Sequence, residues 1–192
     1  MIYIISGYMR SYTTMMMHCL EAGGMEVVWD SERDDWASQN GIEVNPDNKL
    51  REITDSTLAT FWENPAQFDG KVIKILSKYG YLRLPPWEYK VIVMTRNPEE
   101  IRQSFHRVFG KPLEYSDPSG ESKPLSDDLY EHILRGTLSD LANAGIDALL
   151  LSGNTVLKKP LQVFEFLKQN GWPIEPQRAA AEVQPQYQHI AV

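Results

Sequence analysis

The chain has 192 residues, enough for one domain with a complete hydrophobic core. Hydrophobic residues make up 42% of it and charged residues 23%, which is ordinary for a globular protein. The net charge of −7 argues against a general nucleic-acid binder, because such a protein needs a basic face. A few local basic groups would still serve a nucleotide site. We therefore predict a single domain, residues 1–192, without a nucleic-acid partner.

The cysteine content and the hydropathy pattern indicate the compartment. Cys19 is the single cysteine and cannot form an internal disulfide, which is compatible with a reducing compartment. The N-terminus lacks the basic lead and the long apolar run of a signal peptide. No segment approaches the ~20 apolar residues that span a bilayer. We expect a cytoplasmic protein without a membrane partner, and the sequence does not indicate its oligomeric state.

The first predicted elements are a strand, a loop and a helix. Ile2–Ser6 is a short apolar run typical of a buried strand. After the loop Gly7–Tyr12, apolar residues recur at helical spacing in Thr13–Glu21, and Gly23-Gly24 follows as a helix-ending signal. Met25–Trp29 then predicts a second strand.

The middle of the chain begins with a polar stretch. Asp30–Leu50 is polar and turn-rich, with a turn cluster at Asn45–Asn48. Asp55 can cap a helix that runs to about Trp62. Lys71–Leu76 predicts the third strand.

The clearest strand is Tyr89–Thr95, and a strong helix start follows it. Asn97 is a capping residue, Pro98 fits the first helical position, and acidic residues follow in the first turn. We predict a loop at Gly110–Pro124 and a helix at Leu129–Leu141. A fifth strand follows at Asp147–Leu151, and a last helix, ended by a glycine, at Pro160–Gln169.

Strands that alternate with helices predict a parallel sheet covered on both faces. We therefore expect an α/β fold: a three-layer sandwich with a central parallel sheet of about five strands, like that of P-loop NTPases. In such sheets ligands bind beyond the carboxyl ends of the strands. The residues that follow each strand are therefore the candidates for a site.

The segment after the first strand, Gly7–Thr14, carries chemistry suited to an anion. Backbone N–H groups and the dipole of the following helix attract negative charge at such a junction. Arg10 adds a fork of donors, and Thr13 and Thr14 add hydroxyls at the helix N-terminus. The alternative is a helix capped by Ser11 or Thr13, with the arginine on the surface.

The same segment argues against hydrolysis of ATP or GTP. A Walker motif ends in Gly-Lys-Ser/Thr, and the corresponding places hold Tyr12, Thr13 and Thr14. The lysine that would reach the terminal phosphates is missing. A P-loop-like kinase or hydrolase stays an alternative, which Mg²⁺-dependent ATP turnover would favour.

A second candidate site follows the fourth strand. Arg96 stands at the end of that strand, and Ser104 lies two turns into the next helix. An arginine and a serine placed in this way can converge on one phosphate. The alternative is an exposed arginine followed by an ordinary helix serine.

Together these segments resemble the sulfotransferase family. Met9–Thr14 is similar to the family's 5′-phosphosulfate loop, usually Pro-Lys/Arg-Ser-Gly-Thr-Thr. Arg96–Ser104 is similar to its 3′-phosphate motif, with the same spacing. Val72–Lys74 and the later Leu84-Pro85 resemble the family's third strand and its Leu-Pro turn.

Two further stretches, Glu21–Pro46 and Val183–Tyr187, resemble a bacterial branch of sulfotransferase-like proteins, so the resemblance covers nearly the whole chain. It implies 3′-phosphoadenosine 5′-phosphosulfate (PAPS) as co-substrate, a small hydroxyl or amine acceptor, and no metal. The four histidines are scattered and suggest no metal ligand cluster. The implied catalytic residues are Arg10 and Lys74. The implied nucleotide-binding residues are Gly7, Arg10, Ser11, Tyr12, Thr13, Thr14, Arg96 and Ser104.

The chain also departs from the family pattern. Met9 replaces the proline of the loop and Tyr12 its glycine, and a bulky residue is costly wherever the backbone needs a positive φ. Many members carry a catalytic histidine after the third-strand lysine, whereas Ile75 and Leu76 follow Lys74. The Arg-Lys-Gly motif of cytosolic animal members is missing as well. A non-catalytic nucleotide-binding protein of the same fold is therefore a second alternative.

The sequence offers three carboxylates as candidates for the general base. Asp30, Glu52 and Asp55 lie in segments expected to reach the carboxyl edge of the sheet. Each is also a residue type that commonly caps a helix or faces solvent. In the implied reaction, Arg10, the amides of Ser11–Thr14 and Lys74 would stabilise the charge that grows on the phosphate oxygens.

Overall fold

The computed structural model describes residues 1–39, 50–77, 82–116 and 122–183. In these ranges the strands are β1 (Ile2–Gly7), β2 (Val27–Val28), β3 (Val72–Lys74), β4 (Tyr89–Thr95), β5 (Glu114–Ser116), β6 (Ser122–Pro124) and β7 (Ala148–Ser152). Five of them form one parallel sheet in the order β2-β3-β1-β4-β7. β5 and β6 form a separate antiparallel hairpin.

β1 lies in the middle of the sheet and is buried along its whole length. A strand covered on both faces reads as a continuous apolar run, which is the pattern of its sequence. Ile5 pairs with Lys74 of β3 on one side and with Ile92 of β4 on the other. Because all five strands run in the same direction, their carboxyl ends meet at one edge of the sheet.

The helices lie on both faces of this sheet. They are α1 (Thr13–Ala22), α2 (Ser31–Gln39), α3 (Asp55–Glu63), α4 (Pro98–Phe109), α5 (Asp127–Asn143), α6 (Gly153–Lys158), α7 (Pro160–Gln169) and α8 (Pro176–Ala181). α1, α7 and α8 share a core that includes Leu20 and Phe164. α3 and α5 share a second core that includes Phe61 and Leu141. Alternate residues of β1, such as Ile5 and Ile4, belong to the two cores, and this confirms the predicted three-layer α/β sandwich with five central strands.

The prediction for Asp30–Leu50 was wrong in its first half, because Ser31–Gln39 forms the helix α2. Apart from Trp36 and Ala37 its residues are polar, so no apolar stripe at helical spacing reveals a helix. Glu32 and Asp34 lie in the first turn, where the helix dipole favours carboxylates. The predicted turn at Asn45–Asn48 lies outside the described residues.

The prediction of a plain loop over Gly110–Pro124 was also wrong. Glu114–Ser116 pairs with Ser122–Pro124, and Glu114 stands opposite Pro124. Proline is tolerated at the edge of a sheet, where its missing N–H leaves no ladder bond unmade. The turn-forming composition of this segment therefore conceals a short hairpin.

Smaller differences concern the ends of elements. The second strand shrinks from Met25–Trp29 to Val27–Val28, and Thr54 rather than Asp55 caps α3, its side chain accepting a hydrogen bond from the Thr57 amide at 3.4 Å. No local pattern predicted α6 or α8. Within the four described ranges, no helix is both long and apolar enough to cross a bilayer. That residues 1–192 form one domain stays a prediction.

Candidate functional site

The loop after β1 has a backbone that strongly constrains its residues. Gly7 adopts φ 138, and a Cβ atom there would lie 2.5 Å from the Met94 carbonyl oxygen of β4, so only glycine fits. Arg10 and Tyr12 both adopt φ 65, in the left-handed region that side chains disfavour. The tyrosine therefore keeps the conformation that a glycine would adopt easily.

Helix α1 begins without a side-chain cap. Tyr12 occupies the N-cap position, and no side-chain hydrogen bond closes the first turn among the described residues. The alternative in which Ser11 or Thr13 caps the helix is therefore not what the structure shows. Amides in the first turn of a helix have no partner within it, so those of Thr13 and Thr14 stay open to an anion. The amide of Ser11 is not open, because it donates to the Tyr8 carbonyl at 3.3 Å.

The two predicted phosphate sites contact each other directly. Arg10 Nε donates to Ser104 Oγ at 3.0 Å, and one guanidinium N–H of Arg96 donates to the Arg10 carbonyl at 3.0 Å. Arg96 Nε donates to Glu100 Oε2 at 3.0 Å. We call Arg10, Arg96, Glu100 and Ser104 the arginine cluster. It joins the loop after β1 to the helix after β4.

The arginine cluster has a surplus of positive charge and of donors. Arg96 is only 6% exposed, and its Nη2 is buried without a hydrogen-bond partner among the described residues. Burial and the nearby Arg96 lower the pKa of Arg10 to about 10, an effect that Glu52 partly opposes. A bound anion would both accept the spare donor and reduce the repulsion between the two guanidinium groups.

Tyr12 connects the loop to the end of β7. The guanidinium carbon of Arg96 lies 4.1 Å from the centre of the Tyr12 ring. The tyrosine hydroxyl donates to Asn154 Oδ1 at 3.5 Å, and Asn154 Nδ2 donates to Glu100 Oε1 at 3.3 Å. A Cβ atom at Gly153 would lie 2.0 Å from Tyr12 Cδ2, so the ring fills the space beside this glycine.

A second group of polar residues surrounds Lys74, which is 3% exposed at the end of β3. Its Nζ donates to Thr14 Oγ1 at 2.9 Å and to the Leu50 carbonyl, and lies 3.4 Å from Glu52 Oε1. Burial lowers the pKa of the ammonium to about 8, although the neighbouring Glu52 carboxylate opposes the shift. We call Lys74, Thr14, Leu50 and Glu52 the lysine cluster.

The structure separates the three candidate bases. The carboxylate of Asp30 accepts from the Thr54 amide and from the hydroxyls of Thr54 and Thr57, so it holds the start of α3. Partial burial alone would raise the pKa of Asp30, but these hydrogen bonds outweigh it and lower the pKa. Asp55 is exposed in the first turn of α3. Glu52 is the candidate that stands in the lysine cluster.

Several residues of the site escaped the sequence analysis. Glu100 accepts a hydrogen bond from Arg96 Nε, and Gly153 and Asn154 contact Tyr12. Glu100 had a local signal, since it lies one helical turn after Arg96. The other two come from α6, which no local pattern predicted. Among the described residues, no group of three or more histidine, cysteine, aspartate or glutamate side chains is placed to hold a metal ion.

Fold and geometry together define an α/β protein in which an uncapped strand–loop–helix junction meets the half-buried Arg10 and the buried Arg96 at one edge of the sheet. No protein-family model matches the chain, and no curated protein matches it. Among solved structures it is similar to an unliganded crystal structure of a sugar kinase from Janibacter sp., with 12% identity and a TM-score of 0.36. The alignment covers 98% of this chain and 94% of the kinase. A likeness this weak indicates neither the activity nor the family of the chain.

Proposed function

We propose that the chain is a sulfotransferase, which binds PAPS and moves its sulfonyl group to a small hydroxyl or amine acceptor. The observation that carries the proposal is the meeting of the uncapped N-terminus of α1 with Arg10 and Arg96 in one hydrogen-bonded cluster. Two anion-binding features at neighbouring strand ends suit a nucleotide with negative groups on both the 3′ and the 5′ side of its ribose.

The 5′-phosphosulfate is assigned to the N-terminus of α1. The Thr13 and Thr14 amides point to the same end of the helix, and the helix dipole favours negative charge there. Gly7 lets the loop pass close to β4, because a larger residue would collide with Met94. The loop resembles the sulfotransferase loop in this chemistry, with Tyr12 in the left-handed conformation at the place of the usual glycine.

The 3′-phosphate is assigned to Arg96 and Ser104 of the arginine cluster. Its spare donor is Arg96 Nη2, which the described part of the chain leaves unpaired. Ser104 is buried, and its hydroxyl oxygen accepts a hydrogen bond from Arg10, so its O–H can still donate to a phosphate that Arg96 binds. A phosphate would supply the acceptors and the negative charge that these groups lack.

In the proposed reaction, the acceptor's oxygen or nitrogen attacks sulfur while the bond from sulfur to the bridging phosphate oxygen breaks. 3′-Phosphoadenosine 5′-phosphate (PAP) leaves with the electron pair of that bond. The acceptor's proton passes to the carboxylate of Glu52, the candidate base that belongs to the lysine cluster. Arg10 and the amides of Thr13 and Thr14 stabilise the charge that grows on the leaving oxygens.

A non-catalytic nucleotide-binding protein is the second candidate. It is favoured by the lysine cluster, where Lys74 already has three partners and so has no donor left for a leaving group. Lys74 would have to release at least one of them to serve in catalysis. A nucleotide kinase would face the same obstacle, because within the described residues Lys74 is the lysine that contacts the start of α1.

Calorimetric titration tests the proposed function. We expect PAP to bind at least about tenfold more tightly than AMP, because charged hydrogen bonds to the 3′-phosphate are each worth about 1.5–3 kcal/mol. Equal affinities would remove the assignment of Arg96 and Ser104. A subsequent screen of hydroxyl and amine acceptors with PAPS separates the enzyme from the non-catalytic candidate. Turnover of ATP with Mg²⁺ instead would favour the kinase alternative.

A further inference from the structure

Tyr12 stands in a conformation that its side chain does not favour. Its φ of 65 and ψ of 15 are left-handed, and this position is held by glycine in the loop that the segment resembles. A strained residue that persists at a site is a reason to ask what the side chain does there. Tyr12 gives the loop an aromatic ring that glycine cannot supply.

The ring of Tyr12 supports the guanidinium group of Arg96. The guanidinium carbon lies 4.1 Å from the ring centre, within the range of a cation–π interaction. Arg96 is also held by Glu100 and by the Arg10 carbonyl, which leaves Nη2 unpaired among the described residues. The ring therefore helps to fix the direction in which the unpaired Nη2 group points.

Gly153 makes room for this arrangement. A Cβ atom at this position would lie 2.0 Å from Cδ2, 2.6 Å from Cγ and 2.9 Å from Cβ of Tyr12. Because Cβ of Tyr12 is among these atoms, a small rotation of the ring about its side-chain bonds does not relieve the overlap. Asn154 follows directly and accepts the tyrosine hydroxyl at 3.5 Å. The start of α6 is thus shaped around the tyrosine.

We propose that Tyr12, accommodated by Gly153, is a positioning residue that holds Arg96 for a 3′-phosphate and thereby sets the preference of the site for 3′-phosphorylated nucleotides. This inference rests on the proposed function. It assigns the preference to a residue that acts through Arg96, without a contact between the tyrosine and the phosphate.

The opposing explanation is that Tyr12 only fills space. Tyr12→Phe and Tyr12→Leu separate these explanations. Phenylalanine and leucine are both strained in the left-handed conformation, so the two variants have a similar backbone cost. Tyr12→Phe keeps the ring over Arg96 and loses only the hydroxyl, whereas Tyr12→Leu keeps apolar bulk and loses the π face. The readout is the ratio of PAP affinity to AMP affinity, measured by calorimetry beside thermal unfolding.

We expect Tyr12→Leu to lower this ratio by about 3- to 10-fold, the range of a partly buried cation–π interaction. Tyr12→Phe should rescue most of the ratio. Tyr12 also begins the helix that is proposed to hold the 5′-phosphate, so a general loss in either variant lowers both affinities and cancels in the ratio. A Tyr12→Leu protein that folds and keeps the wild-type ratio would show that the ring only fills space.

Gly153 provides an independent arm of the test. Gly153→Ala should lower the ratio about as much as Tyr12→Leu, because the added methyl group displaces the ring. In a Tyr12→Gly background the same substitution should have no further effect, since no ring is left to displace. A further loss of the affinity ratio in that background would overturn the role given to Gly153. If Gly153→Ala alone fails to fold, the double variant in the Tyr12→Gly background still tests this role.

The outcomes also separate this inference from the proposed function. If the wild-type chain does not prefer PAP over AMP, the proposed function fails and the inference fails with it. If the wild-type chain prefers PAP and all the variants keep that preference, only the inference fails. Loss of the preference in Tyr12→Leu and Gly153→Ala, with rescue by Tyr12→Phe, supports both.

Discussion

The lysine cluster and the arginine cluster lie at the same sheet edge, but they differ in how many donors of their cationic groups have a hydrogen-bond or ion-pair partner. Lys74 has Thr14, the Leu50 carbonyl and Glu52 around its ammonium group, one partner for each of its three donors. Arg96 keeps a buried Nη2 without a hydrogen-bond partner among the described residues, beside a second guanidinium group. The first cluster is complete without a ligand, and the second is not.

This difference indicates where a ligand contributes most. A buried donor without a partner costs free energy, and an anion that pairs with it recovers that cost on binding. The arginine cluster is therefore the expected source of nucleotide affinity. The lysine cluster has its own carboxylate, and its contribution is expected in the chemical step or in stability.

The largest expected effect comes from substituting Glu52, the proposed base in the lysine cluster. Glu52→Gln should lower the rate of sulfonyl transfer by about 10²–10⁴-fold, the usual contribution of a general base, and leave the dissociation constant of PAP nearly unchanged. Steady-state assays with a working acceptor measure the rate, and calorimetry measures binding.

The matched control for Glu52 is Glu26→Gln, which removes the partner of Lys71 in an exposed ion pair of 2.9 Å. It should change neither the rate nor the affinity. If Glu52→Gln retains the wild-type rate, the lysine cluster contains no base, and its role is structural.

The next effect distinguishes the two arginines. Arg10→Ala should lower the transfer rate about 100-fold, the scale of losing one preorganised donor, because charge grows near it only in the transition state. Arg96→Ala should mainly weaken nucleotide binding, since the 3′-phosphate is remote from sulfur. Rate constants and dissociation constants are measured for both variants.

Arg135→Ala is the control for a general loss of positive charge, because Arg135 is 75% exposed and pairs only with Glu131 among the described residues. If Arg10→Ala and Arg96→Ala lose affinity equally and keep the rate, Arg10 belongs wholly to the 3′ site. Its hydrogen bond to Ser104 would then describe its complete role.

A third prediction uses pH to test the burial of Lys74. Its pKa is lowered from 10.5 to about 8 in the folded chain, so between these values the unfolded chain binds more protons. Stability should therefore rise with pH in this window, by on the order of 2 kcal/mol between pH 7 and pH 10. Urea unfolding of the wild type and of Lys74→Met at both pH values measures the difference.

Lys74→Met keeps much of the side-chain volume and cannot titrate, so its stability should lack this rise. Comparing the two proteins at each pH cancels the titration of the tyrosines, which also begins near pH 10. If the free energy of unfolding changes equally with pH in the two proteins, burial does not destabilise the charged form of Lys74.

The smallest expected effect belongs to Ser104→Ala. The substitution removes the acceptor of Arg10 Nε and one donor to the 3′-phosphate, so PAP should bind about 3- to 10-fold more weakly, the value of an ordinary hydrogen bond. AMP binding should stay within error of the wild type. An equal loss for both nucleotides would place Ser104 outside the 3′ site.

The sequence by itself determined the elements whose signals are local. Tyr89–Thr95 and Pro160–Gln169 have the predicted bounds, and Asn97 and Pro98 begin α4 as their types predict. A buried strand, an N-cap and a proline at the first helical position each depend on a few adjacent residues. For the same reason α2 stayed hidden, since its polar residues carry no apolar period.

Only the tertiary structure decided which of the predicted residues meet. It placed Arg10 against Ser104 and Glu52 beside Lys74, and it brought Gly153 against Tyr12. These contacts join segments far apart in the chain, and they follow from the order in which the strands lie in the sheet. Side-chain identity predicts what a residue can bind, whereas strand order and backbone conformation determine which partner stands within reach.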